Sequence, residues 1–475
     1  MTKDSLAKNT TYYTAALTVQ KILAFIYFWF ISNSLFPGQL GQYIFALSYT
    51  TLFSIFVDLG LSPVLTREAS KYKDKANTYL RNVIGLKLPL SIITLLVAWI
   101  TINFTDKESG VRLLVYLASI IMILDSFSLS FWVIFRSRQN LKYESIATIL
   151  VQIIIFSLGV VALKTTGEVK HLIMALLAAS AFNFLFSLIL IKVKLKFSLK
   201  PQFDPTIYRY FLRIIPAFAL AGIFVKIYNT SDTVLLSFLN SDESVAYFAI
   251  PAKVVYAFQQ IIPAAFAAVI FPAFSYYYKT SKKLLTQTFD KAFNYLTIIS
   301  LPITAGLLIL IPEIIRLVWP SYHVVIPAFF VMALAIPFIF LAFPTGYLLN
   351  ATDRQRNTTI NRGVVTVLAI VLNIILIPKL DFFGAGITFF VTNVVLLILD
   401  FIWVRKVITL KIWNMTMLVF KSVSASAIMI LGIYLTKPYF HLIILVPFGA
   451  IVYFLTLSML KGFSFSEIKS ITNKK

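Results

Sequence analysis

The segment VIGLKLPLSIITLLVAWITINF, residues 83–104, contains a single charged side chain, Lys87. As an α-helix, a segment of this length would extend about 33 Å, because each residue adds about 1.5 Å. That length matches the hydrocarbon core of a bilayer, which is about 30 Å thick. The segment is therefore predicted to be a helix that crosses a membrane.

Segments of similar length and polarity recur along the whole chain. Together they give fourteen predicted spans, near residues 14–36, 41–65, 83–104, 111–135, 145–163, 171–191, 212–239, 244–275, 292–311, 322–349, 361–378, 383–404, 413–436 and 439–460. The first is too long for the core of a cleaved signal peptide and is expected to be retained. The sequence predicts an all-α integral membrane protein with about fourteen transmembrane helices.

The overall composition agrees with a lipid-facing surface. Hydrophobic residues make up 59% of the chain and charged residues only 13%, about half the roughly 25% of a soluble protein. The formal charge of +23 comes from basic residues spread between the apolar segments, so no nucleic-acid partner is expected. There is no cysteine, and the three histidines lie far apart in sequence, so neither a metal site nor a cofactor is expected.

The distribution of Lys and Arg predicts the orientation. With the N-terminus inside, the inward segments and the span ends next to them hold 30 basic residues, and the outward loops with their adjoining span ends hold 7. The other five lie farther inside the spans. Cytoplasmic loops of membrane proteins are enriched in Lys and Arg. Both termini are therefore predicted to be cytoplasmic.

Two stretches of the chain are similar at a separation of about two hundred residues. Gly41-Gln-Tyr43 follows the first span, and Val245-Ala-Tyr247 follows the seventh. Lys21 and Lys226 precede these tyrosines by almost the same distance. The repeat predicts two pseudo-symmetric six-helix halves, 1–200 and 201–410, with two additional helices and a cytoplasmic tail in 411–475. Parallel repeats of this kind are typical of transporters that bind substrate where the halves meet.

Charged residues within the spans are candidates for function, because a charge at the centre of a membrane helix costs about 2.5–3.5 kcal/mol on insertion scales. Lys226 is the main candidate, and Lys21 and Lys253 are two further ones. The predicted polar lining consists of Asn229, Thr230 and Thr233, which share a helix face with Lys226, and of Gln260, which shares one with Lys253. For Lys226 the alternative is a structural pair with a carboxylate, and for Lys21 it is an ammonium that reaches the cytoplasmic interface.

Three acidic residues within the spans, Asp58, Asp125 and Asp232, are predicted either to balance a buried lysine or to take part in ion coupling. Lys87 and Lys421 lie closer to predicted cytoplasmic ends, which favours a structural role for both. Asp400, close to Arg405, is expected to be an interfacial charge.

The sequence lacks the motifs of several enzyme classes. No glycine is followed by lysine, which excludes a Walker A loop, and no two aspartates are separated by a single residue. The predicted loops are too short to contain a catalytic domain. The chain is not expected to be an enzyme.

The motifs resemble those of a known family, the Wzx-type polysaccharide flippases of the multidrug/oligosaccharidyl-lipid/polysaccharide exporter superfamily. The residues that carry the resemblance are Gly41-x-Tyr43-x-x-Ala46, Asp58-Leu-Gly60-Leu, Arg67-Glu68, Asp232, Tyr247, Lys253 and Leu376-Ile-Pro378…Gly384-Ala-Gly386. The resemblance implies movement of an undecaprenyl-pyrophosphate-linked oligosaccharide from the cytoplasmic to the outer leaflet of the cell membrane, by alternating access and with an ion gradient. It implies a cationic cavity for the pyrophosphate, to which Lys21, Lys226 and Lys253 would contribute, and contacts with membrane lipid and other polysaccharide-assembly proteins.

Three alternatives stay open at this point. A lipid II flippase or a sporulation-type relative would have the same helix count. A cation-coupled multidrug exporter of the same superfamily would favour acidic cavities and usually has twelve helices. A membrane enzyme of polysaccharide assembly would need a sizeable outward loop.

The predicted orientation can be tested by cysteine labelling, since the chain has no native cysteine. Pro37→Cys should react with an impermeant thiol reagent added to intact cells, and Lys73→Cys should react only after the cells are opened. The opposite pattern would contradict the orientation and the assignment of the basic loops to the cytoplasm.

Overall fold

A computed structural model of the chain describes residues 3–462, with the side chains of residues 12–462 except 217, 218, 264 and 268. Within that range, all regular secondary structure is helical. The α-helices of the first part of the chain are α1 (Lys3–Ser34), α2 (Pro37–Asp58), α3 (Leu61–Lys71), α4 (Ala76–Asn103), α5 (Ser109–Ser137), α6 (Lys142–Thr165), α7 (Val169–Lys194) and α8 (Pro205–Leu239). Those of the second part are α9 (Asp242–Thr280), α10 (Lys282–Val318), α11 (Ile326–Ala333), α12 (Ile336–Ala351), α13 (Gln355–Val404), α14 (Ile412–Thr436) and α15 (Leu442–Met459).

The number of membrane-crossing segments agrees with the predicted fold class. In residues 3–462, 12 helical segments are long and apolar enough to cross a membrane. Helix α8 bends by 52° between Pro216 and Ala219, and if its two parts are counted as one span the number is 13. The 50 residues of α13 are two helices joined at Asp381, where φ is 53° and ψ is −142°. Counted separately, these two helices bring the total to the predicted fourteen. The tail after residue 462 lies outside the described residues.

The second predicted span, 41–65, is not one continuous helix, and this prediction was wrong. Helix α2 ends at Asp58, and α3 begins at Leu61. Between them Leu59 and Gly60 have φ values of 42° and 80°, a left-handed conformation that glycine adopts without a Cβ clash. The break places Asp58 at the end of one helix and directly before the start of the next.

The chain divides into two compact units, residues 1–246 and 247–475. This grouping shows which helices pack together, and it places α8 with α1–α7. It does not test the sequence repeat, so the division into halves 1–200 and 201–410 stays a prediction.

Each unit has its own hydrophobic core. In the first unit, buried side chains from α3, α4 and α5 pack around Leu65, Leu80 and Trp132. In the second unit, α14 and α15 pack against α10 through Met429, Ile433 and Tyr453. The hydroxyl of Tyr453 on α15 donates a hydrogen bond to the carbonyl oxygen of Ile298 on α10, at 2.9 Å.

The start of α2 lies directly against the turn that precedes α9. A Cβ atom added to Gly41 would lie 1.6 Å from the carbonyl oxygen of Asp242, so only glycine permits this approach. The Lys107 ammonium lies 2.7 Å from the Asp242 carboxylate and also donates to the carbonyl oxygen of Ser237, at 2.7 Å. These contacts close the end of the first unit that the charge distribution assigns to the outer side.

Gly41→Ala should separate α2 from this turn, because the new methyl group has no space beside the Asp242 carbonyl group. We expect a loss of stability of about 1–3 kcal/mol, typical of overpacking, seen as a lower melting temperature in detergent. Gly110→Ala is the matched control, since nothing lies within 4 Å of the position of its Cβ. Equal melting temperatures for the two variants would show that the contact is not tight.

Candidate functional site

The candidate site is centred on Asp58, at the break between α2 and α3. Its carboxylate accepts hydrogen bonds from the hydroxyl and the backbone N–H of Ser62. Ser62 lies in the first turn of α3, where unpaired backbone N–H groups favour a negative charge. The helix break therefore creates a place inside the protein where a carboxylate is stabilised.

Lys87 on α4 is fully buried, with a side-chain exposure of 0%, and lies 2.7 Å from the Asp58 carboxylate. Its ammonium also donates to the carbonyl oxygen of Ser126 at 2.9 Å and contacts the hydroxyls of Ser126 and Ser62, at 3.0 and 3.4 Å. An ammonium has three donors, and oxygens from α2, α3 and α5 surround this one. Such partners offset the cost of removing both charges from water.

Lys226 on α8 lies beside this pair. Its ammonium donates to the hydroxyl of Ser54, at 2.8 Å, and Ser54 is one helical turn before Asp58. Lys226 interacts electrostatically with both Asp58 and Lys87. The three charged groups together carry one net positive charge, and Lys226, which is only partly buried, is the cation whose hydrogen-bond acceptor is a neutral hydroxyl.

The residues predicted to form a polar face with Lys226 differ in burial. Thr230 and Thr233 are buried, as is Asp232, and the Thr230 hydroxyl donates to the carbonyl oxygen of Lys226 at 2.7 Å. Asn229 is exposed. A role for these residues in lining a cavity stays a prediction.

The other predicted cations are placed separately. Lys21 lies on the exposed side of α1, a helix that packs mainly against α6. Lys253, which is partly buried, and Gln260, which is exposed, lie on α9 in the second unit. The structure therefore brings together Lys226 and Asp58 from the predicted set, while the roles of Lys21, Lys253 and Gln260 stay predictions.

Two further aspartates differ in their surroundings. Asp125 interacts with the hydroxyl of Ser180 on α7. Asp125 directly precedes Ser126, which accepts hydrogen bonds from Lys87. Asp400 was predicted to be an interfacial charge, and this was wrong, since it is 1% exposed. It accepts a hydrogen bond of 2.8 Å from Asn361 and one of 3.5 Å from Thr345, because α13 turns this face toward α12.

The serines of the site and the direct partner of Asp58 were not predicted from the sequence. The signal was present in the spacing, since Ser54, Asp58 and Ser62 follow one another at intervals of four residues. Such spacing places polar groups on one helix face. The predicted span of Lys87 begins at residue 83, whereas α4 begins at Ala76, so Lys87 lies farther from the start of its helix than the sequence predicts.

Solved structures of membrane transporters share this fold. The chain resembles the lipid II flippase MurJ in its inward closed conformation, with a TM-score of 0.75 and 17% identity, over 96% of this chain and 99% of that chain. It resembles an inward-facing multidrug resistance MATE family transporter of the MOP superfamily with a TM-score of 0.63 and 16% identity, over 82% and 94% of the two chains. A MOP superfamily transporter from Pyrococcus furiosus matches with a TM-score of 0.59 and 16% identity, over 85% and 95%.

These similarities define the class: the chain is a multi-pass membrane protein with the fold of the MOP superfamily transporters, as the sequence resemblance indicated. A profile of the family described as polysaccharide biosynthesis protein matches residues 6–278, more than half of the chain. The chain belongs to this family. No curated protein matches the chain.

The buried pair can be tested by a double-mutant cycle. Asp58→Asn leaves the fully buried Lys87 ammonium without its carboxylate and should cost about 3–5 kcal/mol of stability. Lys87→Met alone supplies the other single variant of the cycle. Asp58→Asn combined with Lys87→Met removes both charges and should restore most of that loss, as measured by thermal unfolding in detergent. Lys170→Ala, which removes a lysine from an exposed salt bridge with Glu168, is the control and should have no measurable effect. Losses that simply add in the double variant would show that the two side chains are not coupled.

Proposed function

We propose that this protein is a flippase that moves an undecaprenyl-pyrophosphate-linked oligosaccharide from the cytoplasmic to the outer leaflet of the cell membrane. Membership of the polysaccharide biosynthesis family supports the substrate class. The observation that carries the proposal is the net positive charge of the Lys226, Asp58 and Lys87 group inside the first unit. The two termini are proposed to be cytoplasmic, as the distribution of basic residues predicts.

The charge group suits an anionic headgroup. Lys226 lies about 20 Å along α8 from its Leu239 end, deep within the predicted membrane. Coulomb interactions are stronger there than in bulk water, so a pyrophosphate would gain more from one ammonium than it would at the surface. Asp58 and Lys87 already neutralise each other, which leaves Lys226 as the cation available to the substrate.

Alternating access is proposed to move the headgroup past this position. In this mechanism the halves 1–200 and 201–410 rock about the site, and residues 411–475 supply two additional helices and a tail. Lys21 and Lys253 would add further positive charge along the path. An ion gradient would drive the cycle, with Asp125 and Asp232 as candidates for the coupling group.

Two alternatives remain within the same superfamily. A lipid II flippase is supported by the similarity to MurJ in fold, and the pyrophosphate chemistry would be the same. A multidrug exporter of cationic compounds is less consistent with the charge, because a net positive group would repel such substrates. We therefore favour a lipid-linked anionic substrate.

Lys226→Ala should abolish surface glycan while the protein still inserts into the membrane at normal abundance. Lys226→Arg should retain part of the export, because it keeps the positive charge, and Lys170→Ala should export normally as the matched lysine control. The measurement is surface glycan in a deletion strain complemented with each variant, with protein abundance followed by immunoblotting. Full export by Lys226→Ala would rule out the proposed role of this lysine.

A further inference from the structure

The second unit contains a basic cleft at the end that the charge count assigns to the cytoplasm. It lies where α13 ends, where α14 begins and where the first residue of α10 approaches both. Its volume is about 290 Å³, and its lining consists of Lys282, Arg405, Lys406, Val407, Ile408, Thr409, Leu410 and Ile412. We call these residues the basic cleft.

Three cations line the basic cleft. Among the residues that the structure describes, Lys282, Arg405 and Lys406 form no salt bridge, and the Lys406 ammonium lies 4.2 Å from the ring centre of Trp403. The neighbouring Lys411 interacts instead with Asp290 on α10. The cleft therefore keeps its positive charge, because the nearby Asp290 carboxylate interacts with Lys411, which is not part of the lining.

The backbone contributes to the same preference. Helix α14 begins at the cleft, and Lys411 at its N-cap provides no side-chain hydrogen bond to the first turn. Backbone N–H groups at an uncapped helix start favour an anion, and the helix dipole adds to their effect. Val407 and Ile408 are buried, so packing holds the loop that carries Arg405 and Lys406 in place.

An apolar helix face begins beside the basic cleft. Trp413, Met417 and Phe420 on α14 are spaced by four and three residues, which places them on one face, and all three are exposed, Trp413 by 76%. This face would contact lipid in a membrane. A ligand in the cleft that also contacts this face must combine an anionic group with an apolar chain.

We propose that the basic cleft binds the phosphodiester headgroup of an anionic membrane phospholipid whose acyl chains lie along α14. The cleft is near the lower end of the range of about 300–1,000 Å³ for small-molecule sites, which suits a headgroup better than an oligosaccharide. Basic pockets between membrane helices on the cytoplasmic side are known binding places for such headgroups. This site is independent of Lys226 and of the transported substrate.

The test measures binding of phosphatidylglycerol and phosphatidylcholine to the purified full-length protein by native mass spectrometry in detergent. Lys282→Gln combined with Arg405→Gln should weaken phosphatidylglycerol binding about thirtyfold, because each basic residue contributes about 1 kcal/mol to the binding of an anionic lipid. The same variant should not change phosphatidylcholine binding. The matched control is Lys283→Gln with Arg356→Gln, which removes the same charges from exposed positions outside the lining. It should bind phosphatidylglycerol like the unmodified protein.

A second arm separates a lipid from a free anion. Inorganic phosphate at millimolar concentration should not displace phosphatidylglycerol, because it cannot contact the apolar face of α14. Displacement by phosphate would overturn the lipid proposal in favour of a free phosphate site, and equal phosphatidylglycerol binding by the cleft and control variants would overturn the site itself. If the glutamine variant does not fold, Lys282→Ala alone provides the comparison, with Lys283→Ala as its control.

Discussion

The constraint on which this structure depends is that polar groups in hydrocarbon must find their partners within the protein. It explains why all regular structure in residues 3–462 is helical, since a helix satisfies its own backbone. It also determines what a break in a helix requires. Where α2 ends, the Asp58 carboxylate accepts from the first turn of α3 and from Lys87, so side chains replace the backbone partners that the break removes.

The same constraint connects the fold to the proposed chemistry. A lysine as deeply buried as Lys87 is stable only with a carboxylate and several oxygens around it, and once it has them it cannot also serve a substrate. Lys226 donates to a hydroxyl and interacts with the pair at longer range. A neutral pair beside a less constrained cation is thus an arrangement in which fold stability and the proposed anion binding would use different lysines.

The sequence predicted the helical architecture well, because runs of twenty apolar residues have few alternatives in a membrane protein. It predicted the break after Asp58 poorly, since Leu59, Gly60 and Leu61 continue the apolar pattern and only backbone conformation distinguishes them. The partner of Asp58 could not be chosen from Lys21, Lys87 and Lys226 either. That choice depends on how α2, α4 and α8 pack, and on the start of α4 at Ala76. Lys226 could be named as a candidate because lysines in the middle of a membrane span are rare.

The ion pairs of the first unit differ in burial, and this bears on the proposed cycle of opening and closing. The Lys107–Asp242 pair has side-chain exposures of 14% and 15%, and water can replace its partners if α2 and the turn before α9 separate. The Asp58–Lys87 pair has a fully buried ammonium, and separating the pair would leave that ammonium unpaired in a medium where a charge costs several kcal/mol. Movement at the predicted outer end is therefore cheaper than movement at the α2–α4–α5 junction. In the proposed alternating-access cycle we therefore expect that junction to stay fixed and the end closed by Gly41 and Asp242 to open.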